Sequence, residues 1–540
     1  MMRVVPNATA RALTAAMSLV FASAATTSAQ IQASAAASAV PQGSQATVRA
    51  LTVDEAVRLA LEQNVSLQVE RLNPVIQDEI VSQAQAAWAP SLFGTTSFRD
   101  ASNPPNSFLS GSTDTLQTRL LSAEAGIEAR LPWGSQYRVS FDTARSTTNN
   151  EFSNFNPELG GGLNLRFIQP LLRDRQIDNP RQQLVVSKRN REISDITLRG
   201  TVVSTIRTVK NAYWDLKYAM ANLEVQRQSL DLARQTLKDN RTRVEVGTMA
   251  PIDIVEAESE VARNEEAVIV AEAGIKQAED ALRALIFDPA TPEFWTMTLD
   301  PVDAPIMSQP PIDVDGAVRT ALGKRTDLLQ ARKNLDTVDD NIKYYKNQLL
   351  PQVTLQADVN TAGLGGTQFL RGAGFPPPVI GEVDRGYGKV LGDSFTFDYP
   401  TWTFALNVSY PLGKSTTEAT LARTRIEKTQ GELSVKNLEL QVGTQVRNLG
   451  RNVNTNLKRI EATRATRQLN ERRLEAEQKK FAVGTSTSFL VFQAQRDLAT
   501  ARANELKAIV DYNKSLVDFE AVQEAAIAGG GVSIAGTAVR

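Results

Sequence analysis

Two hydrophobic periods divide this chain. From about Pro180 to Val246 apolar residues recur every seven positions: Val202, Val209, Leu216, Leu223, Leu230, Leu237 and Val244. Ile206, Tyr213 and Met220 fill the companion column. A seven-residue repeat is the mark of a helix that buries one seam against a partner helix. After a short turn, a stretch from about Ile252 to Phe287 answers with Ile254, Val261, Val268, Ile275 and Leu282. The pair predicts a long antiparallel coiled-coil hairpin. At about 1.5 Å per residue its long arm spans roughly 100 Å, more than a compact domain needs. The companion column of the return arm is small, with Ala257, Ala271 and Ala278, so the two helices can approach closely. Toward the turn the long arm carries Arg227, Arg234 and Arg241 in its companion column. These read as a solvated coiled-coil edge or as a contact with another subunit or partner.

Elsewhere the period drops to two. Val353, Leu355, Ala357 and Val359 alternate with Gln352, Thr354, Gln356, Asp358 and Asn360, and Phe404, Leu406, Val408 and Tyr410 alternate with Thr403, Asn407 and Ser409. Similar alternation marks Leu92 to Phe98, Ala125 to Leu131, Tyr137 to Thr143 and Leu163 to Phe167. These are strands with one apolar and one polar face. They suit a barrel with lipid outside and water inside, and the edge of a soluble sandwich gives the same pattern. So few strands cannot close a wide pore alone, and lipid does not tolerate open sheet edges, so a barrel would need several copies.

The chain is also written twice. VDEAVRLAL at 53–61 and VDGAVRTAL at 314–322 share seven of nine residues at an offset of 261, and Pro90 and Pro351 each stand 37 residues after the start of their copy. Val246-Gly247-Thr248 is matched by Val483-Gly484-Thr485, again between two long helical stretches. In the second copy the small column is Ala494, Ala501, Ala508 and Ser515, and the companions near the turn are Arg464, Glu471 and Gln478. Each copy should open with a helix, the first running from a Thr52/Glu55 capping box to about Trp88. The expected organisation is a repeat over 51–288, a Pro-rich extended linker over 289–312 that includes Pro310 and Pro311, a second repeat over 313–526, and a disordered tail over 527–540.

Composition removes whole classes of chemistry. The 540 residues contain no His and no Cys, which excludes Ser-His-Asp and Cys-His catalysis, thiolate metal sites and disulfides. Acidic side chains are scattered over helix faces without a cluster, and no Gly-x-x-x-x-Gly-Lys-Ser/Thr phosphate loop is present. No enzyme, cofactor or metal site is expected. Lys and Arg (59) nearly balance Asp and Glu (60), so no net field calls for nucleic acid. Arg3 and Arg11, an apolar run from Leu13 to Ala25 and small residues at 27–29 read as a secretory signal over 1–29, followed by a low-complexity segment over 30–50. After that signal there is no apolar run of about 18 residues, so a membrane role would need a β-barrel.

Taken together, the signal, the duplication and the paired turn motifs resemble the TolC family of outer-membrane efflux proteins over roughly residues 51–526. The specific pieces are Arg243-x-x-Val246-Gly247-Thr248 with Asp253-Ile254-Val255-Glu256-Ala257, and Phe481-x-Val483-Gly484-Thr485 with Leu490-Val491-Phe492-Gln493-Ala494. The resemblance implies a mainly α fold: a homotrimer whose duplicated helix/strand/helix repeats form an α-helical barrel through the periplasm and a shared transmembrane β-barrel in outer-membrane lipid. It implies a passive conduit for tripartite efflux or type I secretion. It also implies a periplasmic adaptor docked at the turns around Gly247, Thr248, Gly484 and Thr485, and an inner-membrane pump of the RND or ABC kind. The family's entrance ring of aspartates falls here at Leu490 and Gln493, which are uncharged, whereas the matching first-repeat positions are Asp253 and Glu256. Those two acids are read either as an aperture or as acids facing a helix dipole. The first strand region is longer than the second, so strands near 125–131 and 137–143 should either enlarge the barrel or form an external loop. A periplasmic coiled-coil adaptor or a structural envelope protein are the alternatives; the first would show one hairpin, and the second would not need the period-two segments.

Overall fold

The structure, a computed structural model, describes residues 48–105, 114–290, 292–307, 312–375, 377–413 and 415–524. The expected signal, the tail over 527–540, most of the 30–50 segment, and Pro310 and Pro311 lie outside the described residues.

The duplication is visible in the order of elements. The first half holds β1 (Val48–Leu51), α1 (Val53–Gln63), α2 (Val65–Gln85), β2 (Ser91–Asn103), β3 (Leu116–Arg130), β4 (Gln136–Thr148), β5 (Phe155–Pro170), α3 (Asn179–Glu245) and α4 (Ile252–Ile286). A connector carries β6 (Thr298–Pro301). The second half holds α5 (Val314–Lys324), α6 (Thr326–Gln348), β7 (Gln352–Thr361), β8 (Gly363–Arg371), β9 (Val379–Arg385), α7 (Tyr387–Thr396), β10 (Pro400–Ser409), α8 (Thr416–Ala482) and α9 (Ser488–Val522). Both long helices have 67 residues and both return helices 35. Each long helix starts on a side-chain cap, Asp178 accepting from the Arg181 amide at 3.1 Å and Ser415 from the Glu418 amide at 3.1 Å.

The single opening helix expected to run to Trp88 is two helices. It breaks at Asn64, whose backbone is extended (φ −63°, ψ 116°). The Asn64 side chain accepts from the Leu67 amide at 2.9 Å and donates to the Leu285 carbonyl of α4 at 3.0 Å. A buried Asn that satisfies a new helix start competes with helix continuation. The second copy breaks at the equivalent residue, Arg325 (φ −60°, ψ 129°). The capping box is half formed. Thr52 accepts from the Glu55 amide at 3.2 Å, but Glu55 turns to Arg49 at 2.7 Å, and the Val53 amide is taken by Asp303 at 2.6 Å.

Asp303 belongs to the connector, which is more than an extended linker. β6 pairs in parallel with β1, which begins inside the segment expected to be low-complexity. Phe294 and Leu299 pack with Leu51, Leu59, Tyr213, Leu216, Leu282 and Ile286 in the largest core. The Tyr213 hydroxyl, fully buried, accepts the Asp303 amide and lies 3.0 Å from the Leu51 carbonyl. Burial pushes the Tyr213 phenol well up from its ordinary pKa, so it stays neutral.

The helices pack as a wall one layer thick. Nearer the strands its order is α2, α3, α6, α8; toward the hairpin turns it is α4, α3, α9, α8. The short helices thus lie along the long ones, as a wall of side-by-side rods requires. Among the described residues no helix is long and apolar enough to cross a membrane.

Candidate functional site

The strands form one antiparallel sheet in the order β10-β7-β5-β4-β3-β2. Beyond β7 the chain continues as β8, still beside β5, and β9 pairs with β8. All six sequence-predicted strand segments lie in this sheet. The segments 125–131 and 137–143 become β3 and β4, a hairpin set in the plane between β2 and β5 rather than an external loop.

The register sorts most side chains by face, with Phe93 and Ile168 as apolar exceptions on the polar side. Leu92, Ile127, Val139, Leu165, Val359 and Trp402 stand opposite one another across all six strands. A neighbouring row on that face holds Ala129, Tyr137, Phe167, Ala357 and Phe404. The row between them points the other way and reads Ser91, Glu128, Arg138, Arg166, Asp358 and Thr403. Here Arg138 bridges Glu124 and Glu128 at 3.0 and 3.2 Å, and Arg166 meets Asp358 at 2.7 Å. Along β10 and just after it, the apolar residues Trp402, Phe404, Leu406, Val408 and Tyr410 are 57–71 % exposed. So continuous an apolar surface is a liability in water and the requirement in lipid.

The wall also ends in open edges. Among the described residues β2 and β10 each pair on one side only. Beside them, α2 exposes Val69, Leu72 and Ile76, and α8 exposes Ile426, Leu433 and Leu440 at heptad spacing, the latter three 60–72 % accessible. An exposed heptad seam is an unfilled half of a coiled coil.

The hairpin turns are built alike. Gly247 (φ 75°) and Gly484 (φ 78°) occupy the left-handed conformation that ends a helix at low cost to glycine. The Thr248 amide reaches the Arg243 carbonyl at 2.9 Å and the Thr485 amide reaches the Lys480 carbonyl at 2.9 Å. Each threonine hydroxyl adds a second bond to the same carbonyl, at 3.0 and 3.1 Å. Both turns therefore lock the last turn of their helix by one mechanism.

Side by side, the two tips are joined by contacts the sequence did not suggest. Arg243 donates to the Phe481 carbonyl at 3.1 Å, with its guanidinium 4.6 Å from the Phe481 ring centroid. The Ser488 hydroxyl donates to Asp253 at 2.6 Å, with Glu256 3.4 Å away. Asp253, half-buried, and Glu256, exposed, thus converge on one point where α4 meets α9, whereas Leu490 is exposed and Gln493 half-buried on α9 itself. Asp253 lies in the first turn of α4, where the helix dipole favours an acid; Glu256 is past it. On α8 a Lys479 hydrogen bond holds the Glu475 carboxyl below its ordinary range, and Lys480 with Ser486 does the same for Glu477. Among the described residues no group of three or more metal-ligating side chains is placed to hold an ion.

The arginine column is resolved. Arg227, Arg234 and Arg241 pair with Glu272, Glu265 and Glu258 of α4 at 3.0, 2.8 and 2.7 Å, an exposed ladder along the hairpin. Within one chain the three arginines are thus satisfied by α4.

A family model described as "Outer membrane efflux protein" matches residues 138–286 and 317–522. No curated protein matches the sequence. Solved structures share the fold at low identity. The outer-membrane channel OprN is 17 % identical with a TM-score of 0.62, covering 87 % of this chain and 89 % of that one. The CmeC outer membrane channel of Campylobacter jejuni is 14 % identical at 0.62, covering 89 % and 86 %. The outer membrane protein VceC of Vibrio cholerae is 15 % identical at 0.60, covering 87 % and 96 %.

Proposed function

The chain belongs to the outer membrane efflux protein family, and from that premise we propose that three copies close into one tube that serves as the passive exit duct of an efflux or type I secretion machine. As a member of that family it is an outer-membrane channel protein extending into the periplasm and not an enzyme. The observation that carries the proposed assembly is the open-edged wall. The sheet and the helices end on the same two sides, β2 with α2 and β10 with α8, and both sides offer unfilled backbone or apolar seams. Joining β10 and α8 of one copy to β2 and α2 of the next satisfies both. An even number of antiparallel strands per copy keeps the seam antiparallel; with six in-line strands per copy, three copies make eighteen. Head-to-tail contacts of this kind close into a ring when the rotation fits.

In the tube the apolar sheet face meets lipid and the charged rows line water. The hairpin tips then lie at the periplasmic end, where Gly247, Thr248, Gly484 and Thr485 would meet a periplasmic adaptor, and an RND or ABC pump would supply the energy. Asp253 and Glu256 would place up to six carboxylates around the axis, favouring cations through the entrance, while Leu490 and Gln493 add no charge. The test is conductance in planar bilayers of protein extracted from outer membranes. A cation-selective channel whose selectivity falls in the Asp253→Ala, Glu256→Ala double variant supports the duct and its entrance. A conducting channel with unchanged selectivity removes the aperture assignment, and protein that never conducts removes the duct.

A further inference from the structure

We propose that α7 is an interfacial helix, lying against the lipid-facing side of the sheet at its far edge and inserting Phe395 and Tyr399 into the outer leaflet of the membrane. The inference rests on the apolar face being the lipid face. Neither the alternating pattern nor the helical repeat points to this helix; its place comes from three glycines. Gly161 of β5 pairs with Gly363 of β8, and Leu159 with Gly365. Gly161, Gly363 and Gly365 therefore share the face that holds Leu163 and Leu165, and with no side chains they leave a flat spot. Val390 of α7 fills it and is fully buried. A Cβ on Gly363 would sit 2.1 Å from the Val390 carbonyl oxygen, and one on Gly365 2.7 Å from the Val390 side chain. The Ser394 hydroxyl lies 3.1 Å from the Gly161 carbonyl.

The side of the sheet is settled independently by an aromatic contact. Phe395 stacks on Phe141, ring centroids 5.8 Å apart and planes 9° from parallel. Phe141 shares its face with Val139, two residues away on β4, whereas Asp142 points to the polar face and bonds Asn164 at 2.6 Å. The height follows from β5, which ends at Pro170 beside the helical wall. Gly161 is nine residues back, about 20–25 Å along a tilted strand, which is the height of a lipid-facing apolar band. There Phe395 (59 %) and Tyr399 (64 %) are exposed, rings suited to the boundary between acyl chains and headgroups. A helix of ten residues has too little intrinsic stability to stand alone in water. Held by the glycine patch beneath and lipid around it, α7 covers the place where the chain leaves β9 and returns as β10.

The absence of cysteine from the sequence makes the test direct. Nitroxide labels are placed singly at Leu406→Cys on the lipid face, Thr403→Cys on the polar face, and Phe395→Cys or Tyr399→Cys at or just after the helix. The protein is reconstituted in phosphatidylcholine–phosphatidylglycerol vesicles, and collision with oxygen, which concentrates in lipid, is compared with collision with a water-soluble nickel chelate. The expected result is oxygen dominance at 406, at 395 and at 399, and nickel dominance at 403. Gly363→Leu should then shift the 395 label toward nickel. Nickel dominance at 395 and 399 with oxygen dominance at 406 overturns the interfacial helix and leaves the wall intact, as does a helix label shielded from both reagents, which would place protein there. Nickel dominance at 406 overturns the lipid face and this inference with it.

Discussion

The two helical hairpins have equal lengths and the same Val-Gly-Thr helix end, yet they live in different surroundings. α9 is packed between α3 and α8, and about half of its residues are buried, including Val491, Phe492, Ala508, Tyr512 and Asn513. α4 rests chiefly on α3, and its outer side leaves Ile269 and Val270 exposed. Charges at matching places follow suit. In the first hairpin three arginines pair in an open ladder, while in the second Glu505 gathers Arg464 and Arg467, and Arg502 reaches Glu471 at 3.4 Å and Gln228 of α3 at 3.1 Å. A duplicated sequence thus gives one rod an interior place and the other an edge, and the edge rod is the one left with an unfilled apolar side.

Substitutions at equivalent positions sharpen this difference. Ala508 and Ala271, at the same place in α4, are both buried, and they differ in what stands behind their helix. Ala508→Leu should cost up to about 3 kcal/mol because no neighbour can move aside. Ala271→Leu should cost less, since no helix lies behind α4; urea unfolding followed by helical circular dichroism reads both. Glu505→Gln should cost about 1–2 kcal/mol, because the mostly buried Glu505 carboxylate is the charged acceptor for half-buried Arg467 beside Glu471. The tips should erase the contrast: Gly247→Val and Gly484→Val each force a left-handed branched residue and should lose about 1 kcal/mol equally. Unequal losses there would mean that the contacts between tips, not the turns themselves, set local stability. Smallest of all, Arg234→Ala should change stability by less than about 1 kcal/mol, as exposed ion pairs do, and its effect should shrink further in high salt.

These contrasts also show what the sequence could and could not reveal. The seam from Val202 to Leu230 and the alternation from Val353 to Val359 were legible because one-sided burial imposes a period on the residues that share a face. Gly247 and Gly484 were legible because a left-handed helix end selects glycine. The breaks at Asn64 and Arg325 were not, since apolar spacing runs on through them and only the tertiary bond from Asn64 to Leu285 shows why the helix stops. β8, β9 and α7 were hidden for a different reason. Gly363, Gly365 and Gly366 supply no face pattern to read; the first two make room for Val390, and the third (φ 106°) lets the strand pass close to the Pro157 carbonyl. Arg243 with Phe481, and Ser488 with Asp253, join residues more than 230 positions apart and depend on the hairpins lying side by side, which no local pattern encodes.

The central claim is that the open edges of this wall are completed by further copies of the same chain. Native mass spectrometry of the protein extracted from outer membranes in mild detergent tests it most directly. A particle of three chains that falls to one on heating is the result expected. A single chain, stable and dispersed with β2, β10 and the α8 seam open to detergent, would contradict it.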